Sequence, residues 1–128
     1  MIDLQSFMEE VHQSAKAHGG WDEDIPFPAL IAKCHAELSA ALKEYQENRP
    51  PLWFRPIYPP FRAFVDDGDC VTYEKTRHKP EGIAVELADC IMLILDACAQ
   101  LGINIEEALI LKYAFNREEP VPPSGGKG

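Results

Sequence analysis

The chain has 128 residues, of which 46% are hydrophobic, and it carries a formal net charge of −9. Its length and hydrophobic content predict one compact domain with a single core. The acidic balance excludes binding to nucleic-acid polymers and to acidic membranes, because no cluster of Lys and Arg is present to neutralise phosphate. A small anionic ligand would need a cation as an intermediary.

The N-terminal residues, MIDLQSFMEEVHQ, lack the basic and apolar regions of a secretory signal, and no apolar run reaches the ~18 residues of a membrane span. We therefore expect a cytoplasmic protein without a membrane segment. The cysteines show no C-x-x-C spacing, and three of the four lie in apolar helical patterns. We expect reduced, buried thiols rather than disulfides or a zinc site at Cys34, Cys70, Cys90 and Cys98.

The first two predicted helices occupy residues 3–17 and 28–47. The second opens with Pro28, a residue suited to a first helical turn, and stops before the prolines of NRPP. Apolar residues of the first helix follow the i, i+3, i+4, i+7 template of an amphipathic helix, namely Leu4, Phe7, Met8 and Val11. In the second helix we expect four apolar side chains to face the core, namely Ile31, Leu38, Leu42 and Tyr45.

A proline-rich segment, residues 48–80, separates the second helix from the third. Its prolines are too frequent for a helix interior, and a structureless loop of this length is uncommon within a compact domain. A short hairpin around Asp67 and Gly68 is one possibility for the stretch FRAFVDDGDCVTYEK.

The third and fourth predicted helices occupy residues 81–101 and 105–118. Gly102 stands where a left-handed C-cap is expected. Asn104 and Glu107 form the pattern of a capping box at the start of the fourth helix. Residues 1–118 are therefore expected to form one helical domain, with 119–128 as a flexible tail.

The third helix is apolar over more than half its circumference, yet it carries Glu86, Asp89 and Asp96 on one narrow stripe of about 80°. Buried carboxylates are costly unless they are paired or bind a metal. The wide apolar arc also exceeds what one neighbouring helix can cover. This predicts self-association, as a homodimer or a homotetramer.

The second helix presents a matching polar stripe with Glu37 and Glu44. If the two helices pack against each other, Glu37, with Glu44 as a further candidate, converges on Glu86 and Asp89, where the carboxylates repel each other unless cations neutralise them. Oxygen ligands alone favour Mg²⁺ or Mn²⁺. The alternative is an ordinary ion pair between Glu37 and Lys33, with Glu44 on a solvated face.

Three stretches, HAELSAALKEYQ, KPEGIAVELADCIMLILDACAQLGINIEEALILKYAFNREEP and a closing GGK, resemble the MazG-like, all-α nucleoside triphosphate pyrophosphohydrolases. That family pattern places E-x-x-E on one helix and E-x-x-D on a later one, and the four acids hold Mg²⁺ against a triphosphate. Glu86 and Asp89 match the second pair and Glu37 matches the first acid. Its partner position holds Ala40, so one expected ligand is missing. The resemblance implies a helical bundle of about four main helices with residues 48–80 as an insertion.

The resemblance also implies hydrolysis of a (deoxy)nucleoside triphosphate to monophosphate and pyrophosphate, with Glu37, Glu86 and Asp89 as catalytic metal ligands. Glu44 or Asp96 could supply the oxygen missing at position 40. Lys112 and Asn116 are expected to meet phosphate or base, although Lys112 alone is also compatible with a solvated charge. Trp21 could stack on a base, but packing is the commoner role for such a residue. The alternative function is a degenerate, non-catalytic nucleotide-binding or interaction protein on the same fold.

Overall fold

The structure, a computed structural model, describes residues 2–57, 62–64, 70–72 and 77–118. Its helices begin and end within about two residues of the predicted positions, a difference no larger than the usual uncertainty at helix ends. The predicted all-α class is confirmed. The helices are α1 (Leu4–Ala17), α2 (Phe27–Gln46), α3 (Ile83–Leu101) and α4 (Ile105–Glu118).

Local sequence signals account for the connection between α3 and α4. Gly102 adopts a φ of 71°, and the amide of Ile103 donates to the carbonyl oxygen of Cys98 at 2.9 Å. This is the Schellman arrangement that a glycine after the last helical turn favours. Asn104 Oδ1 then accepts from the amide of Glu107 at 3.0 Å, which is the Asn104 half of the predicted capping box.

The described residues between α2 and α3 include four short strands, namely β1 (Trp53–Ile57), β2 (Arg62–Phe64), β3 (Cys70–Thr72) and β4 (Arg77–Glu81). β2 pairs with β3 in antiparallel orientation, which is compatible with the proposed hairpin, and the turn at residues 67 and 68 lies outside the described residues. β1 pairs with β4 in antiparallel register. This β1–β4 ribbon was not predicted, because the two prolines within it weaken any strand signal.

The chain divides into two compact units, and α3 contributes to both. The first unit comprises Met1–Ile25 and Ile94–Gly128. Its core forms where the apolar stripe of α1 meets the second half of α3, around the buried side chains of Met8, Leu95 and Cys98. Leu4, Phe7, Ala99 and Ile105 pack against that core.

The second unit comprises Pro26–Leu93. Leu30 and Ala41 of α2 and Cys90 of α3 are buried there, and Cys90 Sγ lies 3.8 Å from the carbonyl oxygen of Cys34. Cys34, Cys90 and Cys98 are free thiols; Cys90 and Cys98 are buried as predicted, whereas Cys34 is half-buried. The side chain of Cys70 is outside the described part of the chain.

The prediction that the apolar stripe of α2 faces the core is wrong for the single chain. Exposure along this stripe rises from 40% at Ile31 to 69% at Tyr45, with Leu38 and Leu42 between these values. On α3, Leu87 and Ile91 are likewise exposed. Helical periodicity identifies side chains that share a face, but it does not say what covers that face.

No described helix is long and apolar enough to cross a membrane.

Candidate functional site

Helices α2 and α3 bring three predicted site residues together. One carboxylate oxygen each of Glu37, Glu86 and Asp89 lies within 4.8 Å of the other two. Glu86 and Asp89 are three residues apart and therefore share one face of α3, while Glu37 comes from α2. We call these residues the first carboxylate group. Their roles as metal ligands stay a prediction.

The protein environment disfavours negative charge at Glu86 and Asp89. Burial raises the pKa of Glu86, followed by a hydrogen bond with Glu37 and by the charges of Glu37, Asp89 and Glu81. Burial and the charge of Glu37 also raise the pKa of Asp89, with Lys79 acting in the opposite direction. Within the described part of the chain, no Lys or Arg forms an ion pair with the first carboxylate group. The Lys33–Glu37 ion pair, which the sequence offered as the alternative, is therefore not formed.

A second carboxylate group shares Glu86 with the first. Oxygens of Glu44, Glu81 and Glu86 lie within 4.8 Å of one another. Glu44 is only 8% exposed, and Trp53 Nε1 donates to its Oε2 at 3.2 Å. The alternative that placed Glu44 on a solvated face is therefore wrong. We refer to both groups together as the carboxylate cluster.

Ala40 lies on α2 between Glu37 of the first carboxylate group and Glu44 of the second. Ala40 follows Glu37 by three residues and precedes Glu44 by four, so these three positions lie along one side of the helix. One turn after Ala40, α2 carries the buried carboxylate of Glu44, which has an oxygen within 4.8 Å of an oxygen of Glu86. Glu44 is a candidate from its position in the sequence, but that position does not specify the direction of its side chain.

Glu81 was not identified from the sequence, and it reaches the cluster from β4. Its Oε1 accepts from Arg55 Nε and Nη2, both at 3.3 Å, and lies 3.2 Å from Lys79 Nζ. The hydrogen bond from Lys79 is the main cause of a lowered pKa at Glu81, although burial opposes it. Lys79 and Glu81 alternate along KPE as strand residues do, but the neighbouring proline hides that signal.

Gly82 makes the junction between β4 and α3 possible. Its φ is 114°, and a Cβ at this position would overlap the carbonyl oxygen of Pro51. That same oxygen accepts from the amide of Ala84 at 2.9 Å, which ties the start of α3 to the end of the α2–β1 connection. A glycine is required because the backbone turns in a conformation that side chains disfavour. The tight turn places Glu81 close to Glu86.

Asp96 and Trp21, which were both considered as site residues, contact each other in the first unit. Trp21 Nε1 lies 2.9 Å and 3.0 Å from the two carboxylate oxygens of Asp96, and His12 Nδ1 lies 2.7 Å from Oδ1. Asp96 belongs to neither carboxylate group. The carboxylate of Asp96 therefore contacts His12 of α1 and Trp21 of the following loop, which agrees with the packing alternative for Trp21.

His12 was missed, although it is only 5% exposed. It follows Met8 by four residues and therefore extends the apolar stripe of α1. A histidine on an apolar face needs a polar partner, and that requirement is the signal that could have found it. The sequence could not show that the partner is Asp96, which is 84 residues away along the chain.

Lys112 and Asn116 lie one turn apart on α4, and both side chains are exposed. The Lys112 ammonium group lies 4.9 Å from the centre of the Phe115 ring. This cation–π contact leaves the charge accessible to solvent. The predicted contact of Lys112 and Asn116 with phosphate or base stays a prediction.

Fold and site together define a helical protein with a cluster of acidic oxygen donors between two helices. The chain is similar to a dATP/dGTP diphosphohydrolase of Cyanophage S-2L, with 29% identity over 90 residues that span 70% of this chain and 76% of that protein. Neither a protein-family model nor a solved structure matches the chain. The similarity supports a relation to nucleotide-hydrolysing enzymes of the pyrophosphohydrolase kind.

Proposed function

We propose that this protein is a Mg²⁺-dependent nucleotide pyrophosphohydrolase, which converts a nucleoside triphosphate into a monophosphate and pyrophosphate. The observation that carries the proposal is the convergence of Glu37, Glu86 and Asp89 from two helices onto one point. The similarity to a dATP/dGTP diphosphohydrolase supports a nucleotide as substrate.

The donors fit a hard divalent cation. All are carboxylate oxygens, which Mg²⁺ and Mn²⁺ prefer. Burial first, and neighbouring acids second, raise the pKa values of Glu86 and Asp89, and a bound cation would offset both effects. Glu37, Glu86 and Asp89 would hold the ion, with Glu44 as a further candidate. When bound, Mg²⁺ lowers the pKa of water and neutralises charge on the phosphate oxygens.

The chain itself has to position water and substrate. The attacking water forms a bond to the α-phosphorus while the bond to the bridging oxygen between the α- and β-phosphates breaks, so that pyrophosphate leaves. A carboxylate of the cluster accepts the proton that the water loses. The rigid placement of the acids on two helices keeps the water in line with the leaving oxygen, because positioning is the protein's main contribution to such reactions.

The test is a panel of nucleoside triphosphates, beginning with dATP and dGTP, assayed with Mg²⁺ for pyrophosphate. We expect one pyrophosphate for each monophosphate formed. Asp89→Asn should lower kcat by about a hundredfold, the size typical for losing one group that organises developing charge. Glu10→Gln, which alters an exposed acid on α1, is the matched control and should leave kcat unchanged. Release of inorganic phosphate in place of pyrophosphate would contradict the proposal.

Ala40 favours one alternative, a non-catalytic nucleotide-binding or interaction protein. If the wild type raises its melting temperature with nucleotide and Mg²⁺ but releases no pyrophosphate from any member of the panel, this alternative replaces the enzyme. Ala40→Glu restores the acid of the family pattern. A higher turnover in that variant would show that the missing acid limits catalysis.

A further inference from the structure

We propose that Arg55 and Lys79 of the β1–β4 ribbon contact the phosphate chain of the substrate. This inference rests on the proposed function, since it concerns the same site. It assigns a binding role to the proline-rich segment, which the family pattern does not include.

The register of the ribbon places the two cations side by side. Arg55 is the direct partner of Lys79. Trp53, two residues before Arg55, is the partner of Glu81, two residues after Lys79. Partners in an antiparallel pair share a face, and residues two apart lie on that same face. The four side chains therefore project together, whereas Phe54 and Pro80 project from the opposite, exposed face.

This ribbon face is turned toward the carboxylate cluster. Trp53 donates to Glu44, and Glu81 lies with Glu44 and Glu86 in the second carboxylate group. The positive charge of Lys79 acts on Asp89 as well as on Glu81. Arg55 and Lys79 therefore lie at the rim of the site that is proposed to bind a triphosphate.

The charges at the site call for cations of this kind. The two carboxylate groups together contain five acids, namely Glu37, Glu44, Glu81, Glu86 and Asp89. A triphosphate carries several negative charges and would be repelled by them. In the described part of the second unit, Arg55 and Lys79 are the cations whose ion pairs reach this cluster.

Both cations have capacity left for a ligand. Their contacts to Glu81 are 3.2–3.3 Å long and all converge on one oxygen, whereas strong charge-assisted hydrogen bonds are about 2.7–2.9 Å long. The side chains of Arg55 and Lys79 are 55% and 53% exposed, so their charged groups stay accessible to a ligand. Arg55 uses two of its donors on Glu81, and a guanidinium group has further N–H groups for phosphate oxygens.

The experiment measures binding of inorganic tripolyphosphate in the presence of Mg²⁺ by calorimetry, with the full chain. Arg55→Gln and Lys79→Gln should each weaken binding about tenfold, equivalent to ~1.4 kcal/mol. For the nucleotide that the wild type hydrolyses, each variant should raise KM by a similar factor and change kcat by less than threefold. Both variants should keep nearly the wild-type melting temperature, because each leaves the other cation paired with Glu81.

Arg49→Gln is the matched control. Arg49 has the same charge and a similar exposure of 47%, but its ion pair is with Glu47 and its guanidinium group lies 4.8 Å from the centre of the Trp53 ring. We expect it to bind tripolyphosphate within twofold of the wild type. Equal weakening in Arg49→Gln would show a general charge effect and would overturn the assignment.

A second control separates phosphate contact from neutralisation of Glu81. If Arg55 serves only Glu81, Arg55→Gln should have no effect in a Glu81→Gln background, which would overturn the inference. A tenfold loss that persists in that background supports it. Unchanged tripolyphosphate binding in folded Arg55→Gln and Lys79→Gln, or no binding by the wild type, would also overturn it.

Failure of the proposed function has a different signature. The wild type could bind tripolyphosphate through Arg55 and Lys79 and yet hydrolyse no nucleotide. That result would contradict the proposed enzymatic function but support the ribbon as a phosphate-binding element. Nucleotide hydrolysis by the wild type, together with tripolyphosphate binding that is unchanged in Arg55→Gln and Lys79→Gln, would support the enzyme and overturn the assignment of the ribbon.

Discussion

At the scale of single residues, the properties of the site follow from burial and from like charges held close together. Glu86 and Asp89 occupy half-buried positions on α3, and each has a pKa raised first by burial and then by neighbouring acids. Negative charge at these positions therefore costs folding free energy when no cation is bound. Substitutions that remove one charge should reveal this cost.

The variant Asp89→Asn should be more stable than the wild type without divalent cations, because it removes one half-buried charge from the group. Millimolar Mg²⁺ should stabilise the wild type by about 2.7 kcal/mol at a hundredfold excess over Kd. Most of this stabilisation should be absent in Asp89→Asn. Thermal melting with and without Mg²⁺ measures both. If neither Mg²⁺ nor Mn²⁺ changes the wild-type melting temperature, with and without a triphosphate, the proposed metal site is wrong.

The same shifts predict the pH dependence of the cation-free protein. A carboxyl group with a raised pKa in the folded state binds protons there more readily than in the unfolded chain. Its stabilising contribution is therefore fully present below the ordinary pKa and is lost as pH rises through the raised pKa. The free energy of unfolding should therefore decrease as pH rises from the ordinary to the raised pKa. In Asp89→Asn this decrease should be less steep. Denaturant melts at several pH values test the sign.

Gly82 is the residue whose replacement should be most damaging to the junction of β4 and α3. Gly82→Ala should destabilise the protein by at least ~3 kcal/mol, because the backbone is strained for a side chain and a Cβ would overlap Pro51. Gly102→Ala is the control, since Gly102 also has a positive φ but open space around it, and should cost ~1–2 kcal/mol. Equal losses in urea melts would argue against the steric account.

At the scale of secondary-structure elements, the β1–β4 ribbon matters because it supplies Trp53 and Glu81 to a site built on helices. Trp53 satisfies one oxygen of the buried Glu44. A buried carboxylate that loses a hydrogen bond keeps its desolvation cost without compensation. The ribbon therefore supports the helices as well as covering the site.

Trp53→Phe should cost ~1–3 kcal/mol of folding free energy, since it keeps a smaller aromatic ring but removes the N–H that donates to Glu44. Phe54→Leu changes the exposed face of the same strand and should be nearly neutral. Urea unfolding of both variants makes the comparison. A Trp53→Phe variant as stable as the wild type would indicate that water replaces the indole group.

Helix packing also controls the cysteines, since Cys34 and Cys90 lie where α2 meets α3 and Cys98 lies in the core that α1 forms with α3. Burial raises the pKa of Cys34, assisted by Cys90, and burial raises the pKa of Cys98. Fewer thiolates and poor access should make Cys34, Cys90 and Cys98 slow to react with a neutral thiol reagent at pH 7. Mass spectrometry after labelling distinguishes each site. Rapid modification of all three without denaturant would contradict the burial described.

At the scale of the whole molecule, the second unit exposes an apolar stripe on α2, formed by Ile31, Leu38, Leu42 and Tyr45. Leu87 and Ile91 of α3 add to the exposed apolar surface of that unit. Contiguous apolar surface of this kind is typical of protein interfaces. We therefore propose that a second copy of the chain covers it, as a homodimer or a homotetramer.

Light scattering at micromolar concentration should show an oligomer for the wild type. Leu42→Glu should shift it toward the monomer, because a charge at the interface would be buried without a partner. Lys43→Glu, the next residue along α2, should leave the assembly unchanged. A monomeric wild type would contradict this proposal.

The amino-acid sequence by itself determined the elements whose signals are local. Helix bounds follow from periodicity, from Pro28 near the start of α2, and from Gly102 and Asn104 between α3 and α4. The shared face of Glu86 and Asp89 follows from their spacing alone. Each of these features depends on residues a few positions apart, where backbone geometry leaves few alternatives.

Only the tertiary structure decided which distant residues meet. Glu81 joins Glu44 through a ribbon whose strands are separated by some twenty residues, and Asp96 is bonded by His12 and Trp21 instead of joining the cluster. The exposure of the α2 stripe likewise depends on what lies opposite it. Helical and strand periods specify the face of a side chain, whereas its partner depends on long-range packing that no local pattern encodes.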